Sequence, residues 1–128
     1  MPPFKPDGYT SVAPYLLVQG AQGTIDFLKQ VFGAEQLRTY AAEDGRLMHA
    51  EVRIDDTVVM LADDPSPESA PRGGMVHIYV PDVDAVFRKA LEAGAESVQE
   101  PVKKDDPDKR GGFRDAGGTT WWVGTKEE

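Results

Sequence analysis

The chain of 128 residues contains no cysteine, which excludes disulfides, thiolate metal centres and a thiol nucleophile together. Basic residues are in deficit, with 14 Lys and Arg against 22 Asp and Glu and a net charge of −8. A polyanion would be repelled, and no Lys/Arg stripe offsets that charge, so nucleic-acid binding is excluded as a function class. Long apolar runs are missing too: none approaches the about 18 residues a membrane span needs, and MPPFKPDGYT has no apolar signal core. The expected setting is cytoplasmic, away from membranes. What is present is 40% hydrophobic and 28% charged residues, enough to build one core over residues 1–128.

Residues 1–9 hold three prolines and a glycine and read as a loosely held arm. Val12–Val18 is an apolar, β-prone run. After it, Ile25, Leu28, Val31 and Phe32 recur at helical spacing until Gly33. Glu35–Tyr40 reads as a strand. Leu47–Ile54 alternates, with Ala50, Val52 and Ile54 on one face and His49, Glu51 and Arg53 on the other. Asp55-Asp56 is a hairpin turn, and Thr57–Ala62 returns as a strand. Module one spans about 11–63, and the Pro/Ser/Gly-rich stretch 64–73 is a linker.

Module two, about 74–125, repeats the plan. Met75–Val80 is a strand, and Asp82 caps a helix whose apolar stripe is Val83, Val86, Phe87, Ala90 and Leu91. Gly94 ends that helix, Val98–Val102 follows as a strand, KKDDPDKRGG is a charged loop, Gly117-Gly118 a turn, and Thr119–Gly124 the last strand. Gly-Ala-Glu stands at both helix exits, at 33–35 and 94–96, which marks an internal repeat. The fold class is α+β: two βαβββ modules forming a curved mixed sheet around a cleft, with one helix on the outer face of each.

The segments VAPYLLV, TIDFLKQVFGAE, GRLMHAEVRIDDTVVMLAD, HIYVPDVDAVFRKALEAGAE and GGFRDAGGTTWWVGT resemble, in order, those of the vicinal oxygen chelate superfamily, over roughly residues 11–125. Glyoxalases, bleomycin-resistance proteins, extradiol dioxygenases and fosfomycin-resistance transferases share this fold, so the fold does not select a chemistry. The resemblance implies a homodimer. It also implies where a metal-dependent member would carry ligands: near Ala13, Met60 and Trp122, none of which is a hard-metal ligand, and near Met75, with His77 two residues later on the same face as a displaced candidate.

His49, Glu51 and His77 form the best polar constellation. Two histidines and a carboxylate suit a facial metal triad or a general acid/base pair, while ordinary cleft-lining residues would look the same. Trp121 and Trp122 are adjacent in a strand and must face opposite ways, Trp121 toward the core with Val123 and Trp122 toward the cleft. Tyr15, His49, Met60, His77, Tyr79 and Trp122 are the expected ligand lining. The Arg110 or Arg114 guanidinium suits a carboxylate or phosphate on a substrate, but with Asp115 nearby such residues more often make a turn-stabilising ion pair. The favoured function is a metal-free protein of the glyoxalase/bleomycin-resistance type that binds a small aromatic or amphipathic ligand and needs no cofactor. The alternative is a lyase, isomerase or dioxygenase with a divalent metal.

Overall fold

A computed structural model describes residues 4–66 and 74–127. The order is β1 (Tyr15–Val18), α1 (Ala21–Phe32), β2 (Glu35–Ala41), β3 (Leu47–Ile54), β4 (Thr57–Asp63), then β5 (Met75–Tyr79), α2 (Val83–Glu92), β6 (Glu96–Lys103), β7 (Asp108–Arg114) and β8 (Thr120–Lys126). Strand, helix and three strands therefore occur twice. Each module makes its own mixed four-stranded sheet, β1-β4-β3-β2 and β5-β8-β7-β6, with the first strand parallel to the last. Most of the expected linker, 67–73, lies outside the described residues.

Local chemistry sets the element ends. β1 starts at Tyr15 rather than Val12, because Pro14 has no N–H to give a ladder; its carbonyl instead accepts from Met60 N at 2.9 Å. Gly33, at φ 66°, closes α1 in the left-handed conformation. Asp63 reaches back from β4 to the start of α1, accepting from Ala21 N and Leu47 N at 2.8 Å each. Asp82 accepts from Ala85 N and caps α2.

Each helix covers one face of its sheet, and the two apolar faces merge into one core. Phe32 of α1 lies 5.4 Å from Trp121 and 6.2 Å from Phe113, both in the second sheet, and Phe87 of α2 lies 6.3 Å from Phe113. Ile25, Leu28, Val52, Leu61, Trp121 and Val123 are fully buried in that core. Among the described residues, the other face of each sheet carries no helix.

Two readings of the chain need correction. The KKDDPDKRGG segment is not all loop, since β7 already begins at Asp108 and Gly111-Gly112 sit mid-strand. Glycine is needed there by packing: a Cβ on Gly112 would meet the Trp122 ring at 2.7 Å. The end of the N-terminal arm is also tethered, because Gly8 O accepts from Arg53 and Thr10 Oγ1 accepts from Val58 N at 3.3 Å.

Candidate functional site

Period-two alternation turns His49, Glu51 and Arg53 away from α1 while Ala50, Val52 and Ile54 are buried beneath it. Strand register then sets Tyr15, Met60 and Glu51 side by side across β1, β4 and β3. A continuous hydrogen-bond chain runs over this face. The Tyr15 hydroxyl lies 3.0 Å from His49 Nδ1, His49 Nε2 lies 2.8 Å from Glu51 Oε2, and the Tyr9 hydroxyl donates to Glu51 Oε1 at 2.5 Å. Glu51 is almost wholly buried, at 3% exposure. Burial pushes its carboxyl up, but the hydrogen bonds from His49 and Tyr9 outweigh that and hold it below the usual value. Tyr9 is held above the usual phenol value, chiefly because it donates to that carboxylate. Arg38 lies over the Tyr9 ring, 5.2 Å from its centroid.

The second sheet presents a different network. Arg110 donates from Nη1 to Asp106 at 2.9 Å, from Nη2 to Asp108 at 2.8 Å and from Nε to His77 Nε2 at 3.1 Å. The Tyr79 hydroxyl donates to Asp108 Oδ2 at 2.8 Å. Partial desolvation and the Arg110 guanidinium hold His77 below its ordinary value, so its imidazole is neutral near pH 7. Trp122, half-buried, stands in register with His77 and Gly112 and donates its indole N–H toward Met75 Sδ at 3.4 Å. Trp122, Arg110, Asp106, Asp108, Gln99 and Val102 border a hollow of about 290 Å³.

The structure brings Tyr15, His49, Glu51 and Met60 together on one sheet, and His77, Tyr79 and Trp122 on the other. It does not gather His49, Glu51 and His77 into a triad, and among the described residues no group of three or more His, Cys, Asp or Glu is placed to hold a metal ion. The donor chemistry agrees: both nitrogens of His49 are engaged, and His77 Nε2 faces a guanidinium. As placed, His49, Glu51 and His77 do not fit one shared metal ion.

Sequence reasoning missed Tyr9, because a contact between residues 42 positions apart leaves no local pattern. It also missed a cavity of about 780 Å³ at the junction of the modules, bordered by Phe32, Ile54, Ile78, Tyr79, Val80 and Lys126. Arg114 pairs loosely with Glu96 at 3.5 Å, and Asp115 serves the turn and core rather than an open face.

Comparison with known proteins agrees with this architecture. The sequence pattern of the Glyoxalase/Bleomycin resistance protein/Dioxygenase superfamily matches residues 9–123. An uncharacterised protein of Mycobacterium bovis is 36% identical over 124 residues, covering 89% of this chain and 82% of the relative. One from Mycobacterium tuberculosis is also 36% identical, covering 89% and 73%. TioX from Micromonospora sp. ML1 superposes with a TM-score of 0.74 at 25% identity, over 91% of this chain and 98% of that one. FosX from Listeria monocytogenes, solved with Mn(II) and sulfate, superposes at 0.71 and 14% identity, over 91% and 90%. With the paired βαβββ sheets, the match over most of its length shows that this chain belongs to the glyoxalase/bleomycin resistance protein/dioxygenase superfamily.

Proposed function

We propose that this protein binds a small aromatic or amphipathic organic molecule on the helix-free faces of its sheets, without a metal. The observation that carries this reading is the exposure of large side chains on those faces: Tyr15 at 50%, Tyr40 at 58%, Met75 at 75% and Tyr79 at 63%. Such groups are costly to leave in water, and they surround fixed polar networks that can orient a ligand. Tyr15, His49 and Met60 provide one wall, and His77, Tyr79 and Trp122 provide another. A thermal-shift screen of aromatic compounds with a chelator present tests binding. A compound at 100 times its Kd stabilises the fold by about 2.7 kcal/mol. A screen in which compounds act only after a divalent metal is added contradicts the metal-free reading.

FosX, solved with manganese, supports a second reading, a metal-dependent lyase, isomerase or dioxygenase. About one metal per purified chain by elemental analysis would favour it over the first.

The walls stand on separate sheets, and a second copy of the chain is the partner that would close them. β1 and β5 are edge strands, and every residue of β5 is exposed or half-buried. Sedimentation at micromolar concentration is expected to give a homodimer; a monomer across that range would remove the shared site.

A further inference from the structure

We propose that Tyr15, His49 and Glu51 form a proton relay whose working end is the Tyr15 phenol, acting as a general base on a ligand with a weakly acidic O–H or N–H. This goes beyond binding, and its test needs no bound ligand.

The order of the relay follows from its fixed end. Glu51 is buried and its carboxyl is held ionised, so its oxygens only accept. Oε1 takes the Tyr9 hydroxyl and Oε2 faces His49 Nε2 at 2.8 Å, so that nitrogen carries the proton. In the neutral imidazole Nδ1 is then the lone pair, and the Tyr15 hydroxyl, 3.0 Å away, must donate to it. The Tyr15 oxygen keeps lone pairs free for a ligand. When it takes a ligand proton, its own proton passes to Nδ1, giving an imidazolium beside the Glu51 carboxylate and an anionic ligand. The reverse transfer restores every atom, with no oxidant or reductant.

The surroundings suit that charge movement. Tyr15 is half exposed and borders a hollow of about 350 Å³ with Leu17, Leu47, Met48 and Arg46. Arg46 supplies a cation for the ligand anion while one of its nitrogens is anchored on Asp64 O at 3.0 Å. Two carboxylates share the hollow, but both are engaged with backbone N–H groups: Asp44 with Arg46 N, and Asp63 with Ala21 N and Leu47 N. Tyr40 is an internal control. It flanks the same imidazole, its ring 6.1 Å away, but both nitrogens are already taken.

Benzenesulfonyl fluoride reads this activation directly. The phenol oxygen attacks sulfur, the S–O bond forms as S–F breaks, fluoride leaves and the phenolic proton goes to His49 Nδ1. Peptide mass spectrometry on the full chain should show Tyr15 labelled at least about tenfold faster than Tyr40. His49→Phe should bring Tyr15 down to the Tyr40 rate, and Glu51→Gln should slow it severalfold. Equal rates in the native protein, or an unchanged Tyr15 rate in folded His49→Phe, would overturn the proposal. Nitrogen-15 spectra of native His49 check it without a variant: a proton on Nε2 with Nδ1 unprotonated supports the relay, and the opposite tautomer overturns it.

Discussion

Trp121→Ala is expected to cost roughly 3–5 kcal/mol of folding stability, and Trp122→Ala only about 1–2 kcal/mol. The two residues are neighbours of one type, so only their faces differ. Trp121 has no exposure and contacts Phe32 of α1, so its removal opens a cavity where both modules meet. Trp122 is half-buried on the helix-free face, over Gly112, and its loss trims a wall rather than emptying the core. Urea or guanidinium unfolding of the two variants side by side measures the difference. Equal costs, or a larger loss for Trp122→Ala, would mean that β8 is offset by one residue, which would exchange its two faces.

Asp115→Ala is expected to cost about 3 kcal/mol, although it removes no apolar surface. Asp115 is 4% exposed and accepts from Thr119 N at 3.1 Å and from Trp121 Nε1 at 2.9 Å. Its removal strands two buried donors, each costing roughly 1–3 kcal/mol when unmet. The same turn brings Gly117 against α1, where a Cβ would meet Thr24 Oγ1 at 2.6 Å, so loosening it disturbs the junction between modules. Trp121→Phe removes one of those donors. The double variant should therefore lose less than the sum of the single changes. Strict additivity would show that Asp115 and Trp121 act independently, and a cost below about 0.5 kcal/mol for Asp115→Ala would remove its structural role.

Much of this architecture is legible in the sequence because it is written at short range. The helical spacing of Ile25, Leu28 and Val31, the cap at Asp82 and the Gly-Ala-Glu repeat each depend on a few adjacent residues. Alternation in LMHAEVRI likewise separates His49 and Glu51 from the core. The rest depends on contacts between distant segments. Nothing near Tyr9 signals that it reaches Glu51, and the Gly111-Gly112 pair resembles loop glycines until Trp122 is known to lie across the strand. Strand alternation gives His77 a cleft-facing position like that of His49, but register puts it beside Trp122 and Arg110 on the other sheet. Its position follows from sheet pairing, which composition and spacing do not encode.

Mapping aromatic fragments by heteronuclear NMR, with chelator present, tests the proposed ligand face most directly. The two indole N–H groups report separately, since Trp121 is buried against Asp115 and Trp122 lies beside Met75 on the helix-free face. Binding fragments should shift the Trp122 indole and the backbone around Tyr15 and His49 while leaving the Trp121 indole in place. Shifts confined to Phe32, Ile54 and Lys126 around the junction cavity, or no shifts at all, would contradict a ligand site on the open faces.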